Sequence, residues 1–87
     1  MYYTYVLQSL KDKKFYIGYT SNIGKRVARH NNGEVQSTKP RMPLRLIFYE
    51  AYLDQKDALR REDYFKTTKG KRTLRIMLKE YLASIKV

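Results

Sequence analysis

A chain of 87 residues without one cysteine must be held together by a single apolar core, because neither disulfides nor thiolate-bound metals are available to staple it. Zinc-finger chemistry is excluded for the same reason. So few side chains cannot furnish two separate cores, and residues 1–87 are expected to form one domain. Nine tyrosines and no tryptophan mean that much of this core carries hydroxyls in need of hydrogen-bond partners. No apolar run approaches the roughly 20 residues that cross a bilayer. The opening MYYTYVL lacks the basic stretch ahead of an apolar one that marks a secretory leader. A cytoplasmic protein with no membrane partner is expected.

Residues 2–8, YYTYVLQ, are β-branched and aromatic and read as a strand, with Tyr3, Tyr5 and Leu7 on one face. Polar residues 9–14 turn the chain into a second strand, FYIGYT, and the two make a hairpin. Ser21 or Asn22 can cap a following helix that Gly33 ends, with Ile23 and Val27 as its apolar stripe. Residues 32–43 read as loop, and LRLIFYEAYL as a third strand. Asp54 caps a second helix and Asp57 sits in its first turn, where the helix dipole favours an acid. Gly70 and its basic neighbours are expected to break the chain before a last helix that begins near Arg72. Leu74, Met77, Leu78, Tyr81, Leu82 and Ile85 give that helix a three-four apolar pattern facing the core. The order ββαβαα implies an α/β sandwich, a three-stranded and mostly antiparallel sheet flanked by helices.

Lys and Arg number 19 against 8 acids, a net charge of +11. Such an excess favours a polyanionic partner, since each phosphate neutralised releases condensed counterions. The basic residues are spread over several elements rather than gathered beside one insertable apolar face, which favours nucleic acid over an anionic membrane.

Three features break the packing pattern. Ala58 and Phe65 lie on the apolar stripe of the second helix, and Glu62 falls between them near the centre of that face. A carboxylate there needs a cation, a hydrogen-bond network or a metal. A surface pair with Lys66 or Arg61 would satisfy it as well, and helix geometry leaves both readings open. Arg26 and His30, one helical turn apart, border the Ile23/Val27 stripe and so sit at the rim of the core. Tyr5 and Tyr16 occupy neighbouring strands, and Gly18 follows on the Tyr16 face, where a strand glycine marks close approach by a ligand or another backbone.

Together these residues resemble the GIY-YIG nuclease superfamily, in particular its small bacterial members. Tyr3-Thr4-Tyr5 corresponds to the first signature triplet and Tyr16-Ile17-Gly18 to the second. Arg26 and His30 in IGKRVARHN match the family's arginine and histidine, and Glu62 in ALRRED matches its glutamate. The first triplet departs from the pattern, with Tyr-Thr in place of Gly-Ile, but keeps its tyrosine.

The resemblance implies a metal-dependent DNA endonuclease, non-specific or selective for DNA structure, of use in repair or recombination; RNA is a further substrate class. Glu62 would hold one divalent ion, Mg²⁺ or Mn²⁺, with no small-molecule cofactor. Arg26 would clamp the scissile phosphate through its planar fork. Tyr5 would act as general base with His30 hydrogen-bonded to it, and Tyr16 would position the water. Lys25, Arg29, Lys39, Arg41 and Arg45, and then Lys66, Lys69, Lys71, Arg72, Arg75 and Lys79, would flank the cleft and track the DNA backbone. Backbone contacts read no sequence, so specificity is expected from a separate partner. A scaffold that binds nucleic acid without cutting it is the second reading, and Glu62-dependent uptake of a divalent ion separates the two.

Overall fold

The computed structural model describes residues 1–85. Its elements are β1 (Tyr2–Ser9), β2 (Phe15–Thr20), α1 (Ile23–Asn31), a turn of 3-10 helix (Lys39–Arg41), β3 (Leu44–Tyr52), α2 (Gln55–Phe65), α3 (Thr68–Met77) and α4 (Lys79–Ser84). β1 lies in the middle of the sheet and pairs antiparallel with β2 on one side and β3 on the other. That position explains why its last six residues are all buried: both faces of a central strand are covered, so polar alternation disappears.

Successive β1 side chains feed two cores. Val6 packs with Ile17, Phe65 and Leu74 beneath α2 and α3. Tyr5 and Leu7 pack with Leu44, Ile23 and Val27 beneath α1. The sheet is therefore the middle layer of the expected sandwich, and it is antiparallel throughout. Buried hydroxyls find partners: Thr4 Oγ1 donates to the Ala58 carbonyl at 2.6 Å, and the Tyr81 hydroxyl donates to Gln8 Oε1 at 2.5 Å. Asn22 caps α1 and Asp54 caps α2, each accepting a backbone N–H, and Gly33 follows α1 at a positive φ of 73°.

The last helical arm departs from expectation in two ways. Gly70 breaks nothing; it is buried in the first turn of α3, whose N-terminus Thr67 caps by accepting the Gly70 N–H at 2.9 Å. The arm is instead interrupted at Leu78, whose φ of −104° and ψ of 20° separate α3 from α4. This interruption resets the helical phase. Leu74 is buried and Leu78, Tyr81 and Leu82 are half-buried, whereas Met77 and Ile85, assigned to the core by periodicity, are exposed.

Candidate active site

The register of β1 and β2 places Tyr5 opposite Gly18 and Leu7 opposite Tyr16, so the two tyrosines are diagonal neighbours on one sheet face. Their ring centroids are 6.4 Å apart. A Cβ on Gly18 would lie 2.4 Å from both Cζ and the hydroxyl oxygen of Tyr5. The close approach signalled by a strand glycine is thus made by a side chain of the neighbouring strand, which lies across β2.

His30 closes this cluster from α1. It is completely buried rather than at the rim, and its ring lies 5.9 Å from that of Tyr5 and 5.1 Å from that of Tyr16. Its Nε2 meets the Tyr5 hydroxyl at 2.9 Å, and its Nδ1 meets Thr38 Oγ1 at 2.7 Å. Thr38, itself fully buried, also reaches the Val35 carbonyl at 3.4 Å. With the Thr38 hydroxyl directed there, Nδ1 is the protonated nitrogen and Nε2 accepts from Tyr5. Thr38 belongs to a segment that reads as loop, and nothing in the sequence singles out this hydroxyl from its neighbours.

Both members of the Tyr5–His30 pair are held neutral. Burial, reinforced by Tyr16, pushes the Tyr5 hydroxyl up to about 12, against the opposing pull of the Arg26 guanidinium. Burial and the charges of Arg26 and Arg29 lower His30. For a histidine whose folded-state value lies below its unfolded one, the stabilising contribution is present above the unfolded value of about 6.5 and is lost as pH falls below it. The urea midpoint is therefore expected to fall between neutral pH and pH 5, and His30→Gln should flatten that dependence. Asp12, also lowered, titrates in a more acidic window.

Arg26 is half-buried on α1, close enough to influence both Tyr5 and His30, and no carboxylate among the described residues forms an ion pair with it. Glu62 approaches from α2, which packs on β1 and β2, and its charge also reaches Tyr5. Its side chain is 17% exposed, and Oε2 accepts from Lys66 Nζ at 3.1 Å. The surface pair is thus present, and the Glu62 charge is felt at Tyr5. Oε1 accepts no hydrogen bond among the described residues and is not buried.

Among the described residues no three His, Asp or Glu side chains gather as a metal cage. A lone carboxylate with one open oxygen fits a hard ion such as Mg²⁺, which completes its shell with water and phosphate oxygens. It does not fit zinc, which takes three or four protein ligands.

The basic residues divide. Lys25, Arg29, Lys39, Lys69, Lys71 and Arg72 are exposed and enter no ion pair among the described residues. Lys66 is held by Glu62. Arg41 is not a free phosphate ligand: its Nε donates to Asp12 at 3.1 Å and its guanidinium to the Phe15 carbonyl at 3.3 Å, which pins the 3-10 turn to the hairpin. Arg61, in the basic pair ahead of Glu62, is similarly tied to Glu50 at 2.9 Å and lies over the Phe65 ring.

The family model for the GIY-YIG catalytic domain matches residues 1–75. The chain belongs to the GIY-YIG family. The matched span contains Tyr5, Tyr16, Arg26, His30 and Glu62 and ends within α3, short of α4. Relatives include the UPF0213 protein YazA of Bacillus subtilis, 43% identical over 76% of this chain and 69% of its own length. Another is a UPF0213 protein of Pediococcus acidilactici, from the 5′ region of ldhD, 38% identical over 87% of this chain and 80% of its own. The solution NMR structure of a UPF0213 protein from Bacillus halodurans is 31% identical and superposes with a TM-score of 0.55, covering 88% of this chain and 85% of that one. Membership of the GIY-YIG family places the chain in a nuclease superfamily whose members act on DNA and generally depend on a divalent metal. No helix among the described residues is long and apolar enough to cross a membrane.

Proposed function

We propose that this GIY-YIG chain is a DNA endonuclease that hydrolyses phosphodiester bonds with one Mg²⁺ or Mn²⁺ ion held at Glu62. The observation that carries this reading is the meeting of Tyr5, Tyr16 and His30 on one sheet face, with the charges of Arg26 and Glu62, from two different helices, acting on the same tyrosine.

A bound ion would supply Lewis acidity and charge neutralisation at a phosphate oxygen. The unpaired Arg26 guanidinium would grip the same phosphate through two parallel hydrogen bonds and stabilise the charge that develops on it. Water attacks phosphorus, the bond to the leaving oxygen breaks, and that oxygen takes up a proton. A hydroxyl pushed up to about 12 is a poor proton acceptor at neutral pH. We therefore assign Tyr5 to positioning, its ring held by Gly18 and its hydroxyl by His30. Tyr16, half-buried beside it, is assigned to relaying the water's proton, its hydroxyl passing its own proton to bulk solvent as it takes up the water's. Lys25, Arg29 and Lys39 would contact the strand backbone without reading sequence, so selectivity would rest on DNA structure or on a partner. A role in repair or recombination follows from structure-selective cutting.

Arg26→Lys tests the clamp. It keeps the charge but loses the planar fork, so kcat is expected to drop by about 10–100-fold, with a small change in DNA affinity. A screen over single-stranded, duplex, flap and four-way DNA with Mg²⁺ supplies the substrate. An Arg26→Lys protein as fast as the parent on the best of these would remove Arg26 from the reaction.

A further inference from the structure

Phe15 and Tyr16 are consecutive on the edge strand β2 and point to opposite faces of the sheet. Tyr16 belongs to the site described above. On the other face Phe15 and Ile17 form the floor of a cleft of about 230 Å³ whose remaining lining residues are Lys14, Lys71 and Arg75. No acid lines it, and none of the three cations enters an ion pair among the described residues. Arg75 is held over the Phe15 ring, 5.1 Å from its centroid, which fixes a guanidinium there.

The placement of Lys71 is unfavourable for the protein alone. Lys71 lies near the start of α3, whose first turn contains no acid. The positive end of a helix dipole favours anions and is opposed by cations. Lys14 just before β2, Lys71 near the α3 start and Arg75 in its last turn converge on one cleft, and an anion between them compensates all three. We propose that Lys14, Lys71 and Arg75 form a second phosphate-binding subsite, on the opposite face of the sheet from Tyr16 and α1. It engages a backbone phosphodiester of the nucleic acid whose neighbouring segment lies at Tyr16. The strand crosses the open edge of β2, which borders both faces of the sheet. The inference rests on the nucleic-acid reading of the chain and not on its cutting.

The test is the salt dependence of binding, measured in EDTA by fluorescence anisotropy with a labelled single-stranded 12-mer. Each phosphate contact on a single strand steepens the slope of log K against log salt by about 0.7. Lys14→Gln combined with Lys71→Gln is expected to flatten that slope by about 0.7, the loss of one phosphate contact. Lys11→Gln combined with Lys56→Gln, which removes the same charge from other surfaces, should move it by less than about 0.2. Both pairs alter exposed side chains, so melting temperatures should match the parent's and show that folding is unchanged. Equal slopes for the two pairs would overturn the subsite even if the wild type cuts DNA. A wild type that cuts nothing yet shows the slope difference would retain the subsite and reject the nuclease. Titration of the wild type with inorganic phosphate separates the two sources of the anion. Weak, unsaturated shifts of the Lys71 and Arg75 amides agree with a strand phosphate. Tight saturation without an effect on 12-mer binding would show a small-anion site and overturn the proposal.

Discussion

Glu62→Gln is expected to lower metal-dependent cleavage by about a thousandfold while leaving DNA binding and fold in place. The substitution keeps the shape of the side chain and removes the charge on which a hard cation depends. What it costs the fold is small. The pair it breaks is an i,i+4 contact to a lysine that is 53% exposed, and such pairs contribute only tenths of a kcal/mol. Melting should therefore hardly move. Affinity for DNA in EDTA should stay level or rise slightly, because a negative charge leaves the surface proposed to receive phosphate. Titration calorimetry with Mn²⁺ supplies the second readout, with uptake by the parent and none by the variant. A Glu62→Gln protein that cuts within tenfold of the parent would place the metal elsewhere.

Gly70→Ala should be the most damaging single methyl in the molecule. An alanine Cβ there would sit 1.8 Å from the Tyr64 carbonyl oxygen, 2.5 Å from its carbon and 2.9 Å from Phe65 Cα. All three are backbone atoms of α2, so no side-chain rotation relieves the clash. α3 must move off α2, opening the contact between Phe65 and Leu74 on which the lower core depends. Helix propensity alone favours alanine by about 1 kcal/mol; the overlap should cost about 3 kcal/mol or more and decide the sign. For a domain of this size that lowers the melting temperature by roughly 10 °C or more. Gly24 is the control. It too lies within a helix, but its nearest neighbour would be Asn22 Oδ1 at 3.9 Å, so Gly24→Ala should melt no lower than the parent. A Gly70→Ala protein as stable as the parent would contradict the α2–α3 packing.

The same glycine shows where reading a sequence reaches its limit. Propensity sees a residue that weakens helices; only the fold shows a helix start pressed against another helix end, which a glycine alone permits. Gly18 was nearer to legible. A glycine inside a strand announces close approach, but whether backbone, ligand or tyrosine approaches depends on the register between strands. The hairpin, the third strand and the caps at Asn22 and Asp54 were legible because they are set by neighbours a few residues away. Thr38 was not, because its role comes from a contact with His30 that only the fold creates. Arg41 counts by sequence among basic residues free for a partner and Arg61 among those able to pair with Glu62, yet each finds a carboxylate elsewhere in the fold, Asp12 and Glu50. The phase of the final helix was lost at Leu78 because no residue there marks a break. Glu62 stood out on its helix, but its company was assembled by the sheet and α1 rather than by sequence spacing.

The most direct measurement is single-turnover cleavage of one end-labelled DNA by wild-type protein and by Glu62→Gln purified in parallel, each with Mg²⁺ and with EDTA. Product from the wild type in Mg²⁺ alone, with the other three reactions blank, is the expected result. Cleavage that survives EDTA, or that Glu62→Gln performs at the wild-type rate, would contradict a nuclease built around Glu62.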